Sequence, residues 1–362
     1  MRHTRQLLYQ RETLKLEALN TPINELGLSI EGSYLEEAIA IVRADLKRAG
    51  IRRLEPVFYL STGYGCIAGS PIISLGFYDA DPLLQELNAE FRGWRYSEQQ
   101  IVDVLRHEVG HAFCYAYKLY RTPEFRRLFE VQGNFFGTYP DGDDFEYNPW
   151  SRSYVNPNGD HYAQKHPDED FAETFCVWLT PRSGWRRKYK NRPLALEKLT
   201  YADRIIKELG RQAPLVEAKL SWMYERVEDV KETVAQFMRA KPARYYRKAT
   251  GYIDPDLKAL FRKQPRITSR RALFRDYERA EHFIRAQKIS LTNRVAQWVG
   301  VDPVVPHDLI DKCIHRAKAL NLWVERAQSD KKLMELTAYV TTLCVNYKNT
   351  GYYMRPGRSN QG

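Results

Sequence analysis

The sequence predicts an α+β domain, a small mixed sheet beside long helices, followed by a mostly α-helical C-terminal region. Three observations predict it. Two short β-branched or aromatic runs, "LEPVFYLS" (54–61) and "SPIISLGFY" (70–78), are separated by turn residues and read as strands. A long apolar-periodic stretch, "IVDVLRHEVGHAFCYAYKLY" (101–120), follows them and reads as one helix. From Leu194 onward the pattern is helical almost throughout.

Taken in order, "SYLEEAIAIVRADLKRA" (33–49) has Leu35, Ile39, Val42 and Leu46 on one face, and Ser33 with Glu36 forms a capping-box pattern. The helix of 101–120 opens on a second such pattern, Ser97 with Gln100. "SPIISLGFY" is expected at the sheet edge. Residues 137–162 are rich in Gly, Pro, Asn, Asp and aromatics, the composition of an ordered, irregular loop. A loop of that length inside a domain is commonly functional. A short helix, 168–180, ends at Pro181. Helices are then expected at 194–209, 214–240, 254–263, 268–288, 290–299, 307–326 and 329–347. These readings divide the chain into an N-terminal helical segment (1–52) packing on the next domain, a sheet-containing domain (53–200) and a basic α-helical domain (201–362).

The chain of 362 residues is long enough for each of these to bury a core. Its net charge of +11 is uneven: residues 1–200 hold 25 Lys and Arg against 27 Asp and Glu, residues 201–362 hold 31 against 18. The C-terminal excess, with clusters such as "RAKPARYYRK" (239–248), is either a solvated helical surface or a docking face for an anionic partner, nucleic acid or acidic protein. The five cysteines are odd in number and form no CxxC pair, which argues against a disulfide framework. No run of about 18 apolar residues offers a membrane span, and the N-terminus has no signal-peptide pattern. A soluble cytoplasmic protein is the expectation.

His107-Glu108-Val109-Gly110-His111 is an HExxH pattern inside the predicted helix. Residues four apart in a helix project from one face a turn apart, so both imidazoles reach one metal ion. Glu108 lies about 100° round the helix, beside a metal-bound water without being a ligand, where a general base belongs. Two imidazoles on a largely apolar face are hard to satisfy without a shared ion. The Gly-x-x-His that would supply a third histidine just downstream is absent, so the third ligand is distant.

The segment "HYAQKHPDEDFAETF" (161–175) carries the candidates. Glu169 and Glu173 share a helix face; a metal ion for Glu169 and a histidine N–H for Glu173 satisfy both carboxylates. His166, His161, Asp168 and Asp170 remain alternatives for the third ligand. As first-turn carboxylates, Asp168 and Asp170 are accounted for by the helix dipole, and His166, preceding Pro167, by a capping or hydrogen-bonding role.

"HEVGH" followed by "HYAQKHPDEDFAETF" resembles the bacterial zinc-binding metallopeptidase family, and more remotely the active-site segments of anthrax-lethal-factor-type peptidases. The resemblance covers about residues 55–200. It implies a zincin-like domain with one Zn²⁺ held by His107, His111 and Glu169, and Glu173 bonded to a ligand histidine. It also implies an oxyanion-stabilising tyrosine seven residues before Glu169, which here is Tyr162; Tyr154 and Tyr147 are weaker substitutes. The implied activity is hydrolysis of a peptide or protein substrate by a zinc-activated water, with Glu108 as base. The alternative is a non-catalytic zinc protein that binds nucleic acid or protein through its basic C-terminal half. Residues 201–362 carry no motif of the family.

Overall fold

A computed structural model of the chain describes residues 2–140, 145–241, 252–267 and 269–354. They form a mixed α/β protein, mostly helical with two small sheets. The chain divides into two compact units, Leu28–Glu86 with Trp94–Val227, and Met1–Gly27 with Leu87–Gly93 and Glu228–Gly362.

In the first unit, helix Tyr34–Arg48 leads to a three-stranded sheet of β1 (Val57–Ser61), β2 (Gly65–Cys66) and β3 (Ile72–Gly76). Ser33 does not form the expected capping box: its hydroxyl donates to the Ile30 carbonyl, and Glu36 accepts from the Gly32 N–H. β3 is the central strand, parallel to β1 and antiparallel to β2, so the expected edge position of "SPIISLGFY" is corrected. The physical reason is visible in Ile72, Ile73 and Leu75, all fully buried: consecutive apolar residues fit a strand covered on both faces. β2 is one edge strand, and it packs on the helix Glu98–Ala116. At the other edge, Ser61 of β1 bridges to Arg226, while the Tyr59 and Ser61 hydroxyls donate to the Tyr224 and Glu225 carbonyls.

That pairing explains a second correction. Residues 214–240, expected as a helix, form only short turns at Leu220–Trp222 and Val227–Asp229 and a single helical turn at Val234–Phe237. Their backbone groups bond elsewhere: Leu215 and Val216 N–H both donate to the Ala116 carbonyl. Bonds to distant partners replace the i to i−4 ladder that a helix would need.

Helix Glu98–Ala116 begins with the Ser97–Gln100 capping box read from the sequence. It is held to helix Tyr34–Arg48 by a buried ion pair, Arg106 Nε and Nη2 lying 2.9 and 2.6 Å from Asp45 Oδ2. It crosses helix Pro167–Leu179 at Gly110, where a Cβ would sit 2.9 Å from Ala172 Cα. Glycine is required there by the close approach of two backbones.

The second unit contains helix Arg2–Asn20, expected to pack on the sheet-containing domain. Glu17 of that helix is fully buried, its carboxylate 3.0 Å from Lys312 Nζ. The C-terminal residues also carry strands that the helical reading missed. β4 (Arg262–Lys263), β5 (Tyr277–Arg279) and β6 (Leu322–Glu325) form an antiparallel sheet with β6 central. Trp323, Leu322 and Val324 of β6 are buried. Helices Ala280–Val299, Val304–Ala319 and Ser329–Thr350 complete this unit around Ile284, Val295, Ile310, Ile314 and Val340. Most of the cluster 239–248, with both its tyrosines, lies outside the described residues. No helix among the described residues is long and apolar enough to cross a membrane.

Candidate metal centre

Two crossing helices build the site. The first presents His107, Glu108 and His111, all buried. The second, Pro167–Leu179, starts where His166 Nδ1 accepts the Asp168 N–H at 3.1 Å, with Pro167 at the first helical position. Its first turn carries Asp168, Glu169 and Asp170, favoured there by the helix dipole.

The Nε2 atoms of His107 and His111 lie 3.0 Å apart, and Glu169 Oε2 lies 2.9 and 3.2 Å from them. Each imidazole has a carboxylate behind it. His107 Nδ1 is 2.8 Å from Glu173 Oε1, and His111 Nδ1 is 2.9 Å from Asp168 Oδ1. An ionised carboxylate only accepts, so His107 Nδ1 is placed to donate to Glu173 while His111 Nδ1 faces Asp168, and in both rings Nε2 is the nitrogen turned inward. With both rings neutral, two nitrogen lone pairs and a carboxylate oxygen converge with no donor between them. Such a group needs protons or a cation, and His107, His111 and Glu169 can hold a metal ion.

The electrostatics follow from the same contacts. Burial alone would lower the His107 pKa, but Glu169 and Glu173 outweigh it and raise it to about 10. Burial opposes protonation of His111 too, and Asp168 and Glu169 carry it well above its ordinary value. Glu169 moves the other way: burial would raise it, yet the two histidines pull it down to about 2. Burial raises Glu108, and its Oε2 is buried with no hydrogen-bond partner among the described residues. A buried carboxylate oxygen without a partner, next in sequence to His107, calls for a hydrogen-bond donor.

The other sequence candidates sit elsewhere. His166 uses Nδ1 for the cap and Nε2 for Thr138 Oγ1, 3.1 Å away. His161 bonds Asn156 and stacks on Tyr147, ring centroids 4.7 Å apart. Asp170 is buried against Lys198 at 2.6 Å, and burial raises it to about 7 despite that partner. Tyr154 lies beneath the same ammonium, 4.1 Å from ring centroid to Nζ. Tyr162 reaches the site, its hydroxyl 3.0 Å from Glu169 Oε1.

Two site residues escape a sequence reading, and a third takes another role. Asp168, an alternative third ligand or dipole carboxylate in the sequence, faces His111 and accepts from the Tyr115 hydroxyl. Tyr115 stands four residues after His111, a spacing that could have flagged a partner on the same face. Tyr139, from the irregular loop, donates to Glu169 Oε1, and no periodicity marks it.

Fold and site together define a mixed α/β protein with a buried His-His-Glu group able to take a metal ion, flanked by two carboxylates that orient its histidines. Comparison with protein-family models, curated proteins and solved structures finds no match for the chain.

Proposed function

We propose that the chain is a zinc metallopeptidase of zincin-like architecture, hydrolysing peptide bonds in a peptide or protein substrate. The observation that carries this reading is the convergence of two imidazole Nε2 atoms and one carboxylate oxygen beside the unpartnered Glu108 Oε2. The resemblance of "HEVGH" and "HPDEDFAETF" to zinc-binding metallopeptidases supports it. His107, His111 and Glu169 would hold the metal, and two nitrogens with one oxygen are a donor set that suits zinc. Bound there, zinc would supply Lewis acidity, lowering the pKa of a water and polarising a carbonyl.

The chain's own groups perform the remaining chemistry. Glu108 takes one proton from the attacking water as its oxygen bonds to the peptide carbonyl carbon. The Tyr162 hydroxyl donates to the oxyanion that develops. Glu108 returns the proton to the amide nitrogen, the C–N bond breaks, and the water's second proton passes from the new carboxyl group to the amine, so a carboxylate and an ammonium leave. β2, the sheet edge beside the HExxH helix, is where an extended substrate would add its backbone hydrogen bonds. A carboxylate at the position after the first histidine, where a general base belongs, favours the enzyme over a non-catalytic zinc protein. Five unpaired thiols suit a reducing compartment, the cytoplasm.

The test pairs elemental analysis with a peptide-library digest on wild type and Glu108→Gln. About one zinc in both proteins, with cleavage only by wild type, is the expected result. A Glu108→Gln protein that keeps zinc and cleaves as fast as wild type sinks the mechanism.

A further inference from the structure

We propose that Tyr139 is a positioning residue for the metal, and that Phe136–Tyr139 forms a strap fixing the ligand carboxylate from behind. The inference rests on the metal-binding reading of the site. Tyr139 and Tyr162 both donate to Glu169 Oε1. A carboxylate oxygen has two lone pairs, so the two phenols fill Oε1 and leave Oε2 as the oxygen facing His107 and His111. Glu169 is thereby held to offer one oxygen, not two.

The strap meets the site's supports at three further points. His166 Nδ1 accepts the Asp168 N–H, so its Nε2 carries the proton and donates to Thr138 Oγ1 at 3.1 Å. The Thr138 hydroxyl in turn donates to the Asn134 carbonyl at 3.2 Å, so every proton in this chain has an acceptor. The Tyr139 ring lies on the His166 ring, centroids 4.3 Å apart. Phe136 packs against Tyr115, centroids 5.4 Å apart, and Tyr115 donates to Asp168, the partner of His111. Three residues of this stretch, Phe136, Thr138 and Tyr139, thus contact Glu169, the cap of its helix and the support of His111.

Two phenols on one oxygen divide the labour. Tyr162 can leave Glu169 for the oxyanion because Tyr139 keeps Oε1 satisfied. Removing the Tyr139 hydroxyl leaves Oε1 with the Tyr162 donor, which the strap does not hold, and loosens the metal. Removing the Tyr162 hydroxyl leaves the carboxylate held.

The experiment uses the full chain as wild type, Tyr139→Phe and Tyr162→Phe, each loaded with zinc and challenged with a chromogenic chelator. Tyr139→Phe is expected to release zinc about tenfold faster than wild type, the scale of losing a ligand's hydrogen-bond partner. Tyr162→Phe is expected to release it at the wild-type rate. The absorption bands of the cobalt(II)-substituted proteins should shift for Tyr139→Phe and not for Tyr162→Phe. Unfolding of the chelator-treated proteins should coincide, excluding a general loss of structure. Equal release from Tyr139→Phe and wild type overturns the inference, as does equally fast release from both variants. Wild type that takes up no zinc rejects the metal reading itself, a separate outcome.

Discussion

Gly110 and Ala172 touch backbone to backbone: a Cβ on Gly110 would stand 2.9 Å from Ala172 Cα and 3.2 Å from its carbonyl oxygen. This contact sets the spacing between the helix that holds both histidines and the helix that holds Glu169.

Gly110→Ala therefore opposes two effects. Alanine is the better helix former by about 1 kcal/mol. The overlap is with backbone, which cannot rotate away, and overpacking of this kind costs about 1–3 kcal/mol. We expect a net loss of thermal stability together with weaker zinc retention. A variant as stable as wild type with full zinc would show that the two helices separate freely.

Asp168→Asn and Glu173→Gln each exchange an acceptor behind an imidazole for an amide. Each is expected to weaken zinc binding about 10–100-fold in a chelator competition. Asp170→Asn is the contrast, because Asp170 faces Lys198 and neither histidine. It should leave zinc affinity unchanged and cost about 3 kcal/mol of stability, the buried ammonium having lost its counter-charge. Equal zinc loss from all three would mean that the effect is one of general destabilisation.

Zinc affinity should climb with pH across the neutral range. Glu169 and Glu173 hold the His107 pKa at about 10 against burial, so an entering metal displaces a proton at any lower pH. For protein stripped of metal the sign is opposite. A folded pKa raised above 6.5 stabilises the fold fully below about 6.5, and that contribution is lost as pH rises through about 10. The Glu169 side of the contact is present above about 4.5 and lost as pH falls through about 2. Thermal scans of stripped protein should thus decline from pH 7 to 10, and those of zinc-loaded protein much less. Parallel curves would contradict this.

Tyr162→Phe should lower kcat about 10²–10³-fold with KM nearly unchanged, the scale of losing one oxyanion donor. A rise in KM alone would assign Tyr162 to substrate binding.

Much of the site could be read locally. The capping box at Ser97, the i, i+4 pair His107 and His111, and the pair Glu169 and Glu173 are all short-range patterns on helices, where period and face follow from the chain itself. Asp168 was legible as a residue and not as a partner, because an N-terminal carboxylate fits the dipole whether or not an imidazole lies beyond it. Tyr139 had no signal, since an irregular loop gives its side chains no predictable direction. The same limit applied to 214–240, whose helical periodicity was outweighed by bonds to Ala116, Tyr59 and Ser61. β2 was missed because a two-residue strand of Gly65 and Cys66 has no periodicity to detect.

Glu17 and its partner Lys312 also order events in time. The ribosome makes the N-terminal helix first, and 295 residues separate Thr21 from the Arg316 that bonds it. At about 5–20 residues per second the early helix waits on the order of tens of seconds for its charged partners. Residues 28–227, which include every residue of the metal centre, are synthesised whole within that interval. The candidate metal centre is thus complete in sequence before the unit whose residues flank it in the chain can close, so its ligands are all present on the nascent chain.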